Sequence, residues 1–178
     1  MSRRKVVAVI GHGRATGDHE VLAEGVGRAL VECGFRVLTG GLGGVMLGAS
    51  RGARGASNYR EGDVVGILPG DDKTLANRYV DIVIPSGMGL ARNVLVVQAA
   101  DGVIAVGGEA GTLSELALAW QLGRPIVALR VAGYSGEFAG RGIDARQRPA
   151  VLAADNAEQA VACMARELTD DFSEFPGR

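Results

Sequence analysis

Residues 106–115 read VGGEAGTLSE, a glycine-rich turn running into a threonine and, three positions later, a carboxylate. Gly tolerates positive φ and lets a ligand approach the backbone closely, so successive N–H groups of such a turn can line an anion. A helix opening just after it adds its dipole and its unpaired N–H groups. Two further loops of this kind stand earlier in the chain, GHGRATG at 11–17 and GGLGG at 40–44. The chemistry they suggest is the holding of a phosphate or another anion, with Gly11, Gly13, Gly107 and Gly108 among the candidate contacts. Short strand-to-helix turns also favour Gly on their own account, so the glycines alone do not decide the matter.

Two charged residues could act with the loops. Arg92, followed by Asn93, opens a helical segment just after PSGMG. A guanidinium there opposes the helix dipole, which suggests a phosphate or carboxylate partner, Glu115 being one, unless the side chain is simply exposed. Glu115 itself has two readings. Thr112-x-x-Glu115 is a capping box, with Thr112 at the N-cap and Glu115 reaching back to its N–H. Alternatively, Glu115 is a functional carboxylate.

Named cofactor motifs fit poorly. A Walker loop needs GxxxxGK[ST], and neither of the chain's two lysines, Lys5 and Lys73, lies in a glycine loop. A dinucleotide fingerprint needs GxGxxG and an acid ending the second strand. Here Gly17 falls one residue too far after Gly11-x-Gly13, and the second apolar run ends Thr39-Gly40-Gly41. A pyridoxal enzyme needs a Schiff-base lysine. Lys5 begins the first apolar run, at the wrong end, and Lys73 sits in polar GDDKT. His12 and His19 are seven apart with no partner at ligand spacing, so no metal site is expected, and no Ser sits in GxSxG.

The elements that must position these residues are legible as alternating patterns. KVVAVIG, FRVLTGG, VVGILPG, DIVIP, GVIAVGG, PIVALR and PAVLAAD are nearly continuous Val/Ile/Leu runs, as strands buried on both faces should be. Between them DHEVLAEGVGRALVECG, GGVMLGASRGARGAS, GLARNVLVVQAAD and GTLSELALAWQLG carry apolar residues at helical spacing, and a last helix is expected near 156–168. Alternation of this kind predicts a Rossmann-like doubly wound parallel α/β sheet of about seven strands with helices on both faces. Ligands in such folds bind beyond the carboxyl ends of the strands, where the three glycine loops fall. The helix GLARNVLVVQAAD is apolar almost all round, so it is either buried centrally or meets a second subunit, and a homodimer through residues 90–100 is expected. Residues 131–148 show no clear period and are expected to form a mobile flap.

Composition bounds the rest. The 178 residues suit one domain spanning 1–178. The 28 glycines fall at the ends of apolar runs, far above the roughly 7% average, without a collagen or low-complexity pattern. Aromatics are 4% and net charge is −1, which argues against nucleic acid as a partner. Cys33 and Cys163 lie far apart with no CxxC spacing, consistent with a cytoplasmic protein. The opening MSRRKVVAVIG reads as a first strand rather than a signal peptide, and no run of about 18 apolar residues suggests a membrane span.

The segments TGGLGGVMLGASRGA and PSGMGLARNVLVVQAADGVIAVGGEAGTLSELALAWQLGRPIVAL resemble the Lonely-guy (LOG) and molybdenum cofactor carrier superfamily over roughly residues 5–130. Its LOG members are nucleoside 5′-monophosphate phosphoribohydrolases with the pattern MHERK followed by PGGxGTxxE. The resemblance implies Arg92 and Glu115 as the catalytic pair if the chain is an enzyme, and Gly41, Gly43, Gly44, Gly111 and Thr112 as phosphate contacts. A pyridoxal lysine decarboxylase, a label given to such proteins, is not implied. Here MHERK gives way to MGLARN, and PGGxGT to GGEAGT, with Glu109 in place of a glycine. These departures resemble the carrier branch, which binds the molybdopterin cofactor, a phosphate ester, without consuming it. The expected ligand is therefore molybdopterin or an AMP-like nucleotide, with no further cofactor required.

Overall fold

Each Val/Ile-rich run becomes a strand, the central ones covered on both faces, while the edge run DIVIP leaves Ile82 and Ile84 exposed. In the computed structural model, which describes residues 3–14 and 17–170, these are β1 (Val6–Gly11), β2 (Arg36–Thr39), β3 (Val64–Leu68), β4 (Ile82–Pro85), β5 (Gly102–Val106), β6 (Ile126–Leu129) and β7 (Leu152–Ala154). They form one sheet of order β4-β3-β2-β1-β5-β6-β7, every pair parallel. The chain winds outward from β1 to β4, then crosses back to place β5 beside β1, with Gly11 opposite Val106. That reversal opens a crevice beyond the ends of β1 and β5. The expected single domain includes residues 1, 2, 15, 16 and 171–178, which lie outside the described residues, as do Ala15 and Thr16 of the first glycine loop.

Alternate strand residues serve opposite layers. On one face Val7, Val9, Val37 and Ile104 pack with α1 (Gly17–Glu32), α2 (Val45–Arg54) and α6 (Ala157–Asp170) through Val26, Leu30, Ala49 and Met164. On the other, Ala8, Ile10, Leu38 and Val103 meet α3 (Arg92–Ala99) and α4 (Ala110–Gln121) through Val96, Val97, Leu116 and Trp120. Both layers are thus present, and the doubly wound expectation holds.

The glycine excess has a second cause that strand ends do not cover. Gly27, Gly48 and Gly52 lie inside α1 and α2. A Cβ on Gly27 would stand 2.0 Å from the Ala49 carbonyl oxygen, and one on Gly52 would stand 1.8 Å from that of Glu24. The two helices therefore touch backbone to backbone, a contact that turn-based reasoning does not foresee.

Residues 131–148 are not a free flap. They contain a short helix, α5 (Tyr134–Phe138), whose Ser135 is fully buried. The Ser135 hydroxyl donates to the Leu129 carbonyl and accepts from Gly107 N–H. Further on, Gly140 N–H donates to the Val151 carbonyl, Val151 N–H donates to the Arg141 carbonyl, and the Trp120 indole donates to Asp144. Lack of periodicity here reflects side-chain anchoring rather than looseness.

Candidate functional site

At the crevice lies a cleft of about 220 Å³, walled by the ends of β1 and β2, the start of α3 and the first turns of α4. The expected residues Gly11, Gly13, Arg92, Asn93, Gly111, Thr112 and Glu115 all line it. Gly40, Leu42, Met46, Leu90, His12 and Glu109 line it too.

Arg92 is the first residue of α3, and its side chain crosses to the end of β2. A Cβ on Gly40 would stand 2.4 Å from one Arg92 guanidinium nitrogen and 2.6 Å from the other, so only a bare backbone there admits the group. Nη1 donates to Asn93 Oδ1 at 3.1 Å and forms a long ion pair with Glu115 Oε1 at 3.5 Å. Nε is buried and has no hydrogen-bond partner. A cation whose donors are only partly used, in a cleft, is a natural counterpart for an anion. Burial lowers the Arg92 pKa, with Glu115 opposing.

Glu115 is buried on the cleft-facing side of α4. Burial pushes its pKa up to about 7, against a smaller pull downward from Arg92. Desolvation thus outweighs a pair this long, and the carboxyl is divided between its two protonation states near neutrality.

The capping box is not formed. α4 begins at Ala110 with Glu109 at the N-cap, no side chain caps it, and Thr112 lies one turn inside. The reason is local: Gly108 takes φ +104° and turns the chain into the helix early, and a Cβ there would strike the Thr112 side chain within 2.5 Å. Glu115 is therefore released to face Arg92. The first N–H groups of α4 have no intrahelical acceptor and border the cleft. Asn93 ties the two helices, its amide donating to Ser114 Oγ at 2.9 Å.

The other expected glycines sit around the cleft rather than in its lining. The Gly107 and Gly108 amides already donate, to Ser135 Oγ at 2.7 Å and His12 Nδ1 at 2.9 Å. Gly41 N–H donates to Thr39 Oγ1, and Gly44 is the N-cap of α2. Gly43 backs onto the Gly13 carbonyl. Sequence reasoning missed Gly40, although it opens the GGLGG loop, because its role depends on a side chain arriving from a distant helix. His12 was weighed only as a metal ligand. Among the described residues no three His, Cys, Asp or Glu side chains come together as a metal site, and no helix is long and apolar enough to cross a membrane.

Gly40→Ala tests the arrangement. Gly40 is absent from the positive-φ glycines, so Ala suits its backbone, and the atoms it displaces are the far end of Arg92. Ligand affinity is expected to fall about tenfold with little change in melting temperature. Unchanged affinity would show that the guanidinium position does not matter.

A doubly wound parallel sheet with this cleft at its switch point defines a Rossmann-like domain. The model of the SLOG cluster4 family matches residues 4–162, and the chain belongs to that family. It is 40% identical over 124 residues to an uncharacterized protein of Archaeoglobus fulgidus, across 70% of this chain and 79% of that one. Among solved structures it resembles the molybdenum cofactor binding protein of Rippkaea orientalis, at TM-score 0.78 and 33% identity, covering 98% of this chain and 100% of that one. The Moco carrier protein of Chlamydomonas reinhardtii gives TM-score 0.80 and 30% identity, over 94% and 99% of the two chains. Family and fold bear out the resemblance to the LOG and molybdenum cofactor carrier superfamily.

Proposed function

We propose that this protein is a carrier that binds a phosphate ester, a pterin cofactor such as molybdopterin or an AMP-like nucleotide, without converting it. The observation that carries the reading is Arg92, buried beside Glu115 with Nε unpartnered and its guanidinium laid over Gly40. A phosphate in the cleft would take the open Arg92 donors and the free N–H groups at Gly111 and Thr112. Glu115 in its protonated form can donate to a phosphate oxygen, so near neutrality the site can accept an anion without two like charges meeting. The relatives named for the molybdenum cofactor support the pterin arm. Thermal shift with molybdopterin and with AMP tests the reading, since a ligand at 100 times its Kd adds about 2.7 kcal/mol. No shift with either ligand rejects it.

Glu115 favours one second reading, a phosphoribohydrolase cleaving the N-glycosidic bond of a nucleoside 5′-monophosphate. A carboxylate with a pKa near 7 can stabilise an oxocarbenium-like centre and handle a proton at working pH. Incubation with AMP followed by chromatography for free adenine separates the two. Release that disappears in Glu115→Ala would sink the pure-carrier reading.

A cytoplasmic homodimer completes the proposal. Leu90, Val94 and Leu95 around α3, with Ile82 and Ile84 on edge strand β4, are exposed, and Leu90 is 88% exposed while also lining the cleft. Apolar exposure on this scale suits burial against a second copy. Light scattering at micromolar concentration should return twice the 18.3 kDa chain mass, and a monomer would remove this part.

A further inference from the structure

His12, the first residue beyond β1, lines the cleft but has no part in the arrangement of Arg92 and Glu115. Its ring is held on three sides. Nδ1 accepts the Gly108 N–H at 2.9 Å. The ring edge lies so close to Gly107 that a Cβ there would stand 2.7 Å from Cε1 and Nδ1. The His19 ring stacks on it, centroids 5.0 Å apart and planes 10° from parallel. An imidazole nitrogen that accepts a hydrogen bond carries no proton, so the ring proton resides on Nε2.

We infer that His12 is a ligand-contacting residue that presents a fixed, neutral Nε2–H donor to the phosphate ester bound in the Arg92–Glu115 cleft. This rests on the phosphate-ester reading above. The same geometry denies His12 the role of general acid. Such an acid would have to be an imidazolium, whose Nδ1–H would face the Gly108 N–H and break that bond. A neutral imidazole N–H donates a hydrogen bond but does not surrender its proton to a leaving base. The cleft therefore gains a recognition element rather than the second acid that N-glycosidic cleavage would use, which strengthens the carrier over the hydrolase.

His12→Asn separates the two ring nitrogens. Asn places its carbonyl oxygen near the Nδ1 position and can still accept from Gly108, but has no atom at Nε2. Its melting temperature is expected to match the wild type, while calorimetric affinity for the ligand falls about tenfold, as for loss of one hydrogen bond to a charged group. His12→Gln, which restores an N–H near the Nε2 position, should recover part of the binding. Titrations use both AMP and molybdopterin. If His12→Asn binds every ligand of the wild type with equal affinity, the assignment of His12 is overturned while the phosphate-ester reading stands. Wild-type protein that binds neither ligand overturns that reading and the assignment with it. Imidazole ¹⁵N shifts of the unliganded protein at pH 7.5 give an independent readout: protonated Nε2 and bare Nδ1 are expected, and the reverse tautomer rejects the inference.

Discussion

Arg92→Ala is expected to lower affinity for a phosphate-ester ligand at least about 100-fold, the equivalent of roughly 2.7 kcal/mol or two charge-assisted hydrogen bonds. The guanidinium supplies the only unpartnered cationic donor buried in the cleft among the described residues, and its own burial strengthens whatever it binds. Arg92→Lys should recover little, because a single ammonium cannot reproduce a planar fork laid over Gly40. The measurement is best made by calorimetry near pH 6. There Glu115 is largely protonated, so removing Arg92 does not strand a buried carboxylate and the loss reports on the ligand alone. Wild-type affinity in Arg92→Ala would reject the site.

The second large effect concerns stability in the absence of ligand. Glu115 titrates at about 7 when folded against an ordinary value of 4.5. Between those pH values the native state holds a proton that the unfolded chain has released, so stability falls as pH rises through this window. The full difference is about 3 kcal/mol. Glu115→Gln resembles the protonated form and cannot titrate. Its melting temperature should therefore track the wild type near pH 4.5 and exceed it by about 6–12 °C at pH 8, given about 2–4 °C per kcal/mol for a chain this long. Parallel curves across that range would show that the carboxyl is not desolvated as described.

How far these features were legible depended on whether their causes were local. The seven strands were readable because a parallel sheet leaves unbroken apolar runs, even at the exposed edge strand β4, and β1 to β7 fall within the runs so identified. Arg92 and Glu115 could be picked out because each stands at a helix start beside a glycine loop. The two readings of Glu115 could not be separated because Thr-x-x-Glu carries the same spacing whether the helix starts at Thr112 or earlier, and the positive φ of Gly108 is invisible in the letters. Gly40 and the helix glycines Gly27 and Gly52 are defined by a guanidinium or a carbonyl arriving from elsewhere in the chain. The tether on residues 131–148 was hidden for the same reason: Ser135, Gly140 and Asp144 bond to partners elsewhere in the chain.

His12 and Ser135 hold consecutive amides, those of Gly108 and Gly107. The turns after β1, β5 and β6 are thereby stitched into a single ledge. Amides fixed in this way leave little conformational freedom for an arriving ligand to remove, which lowers the ordering cost of association.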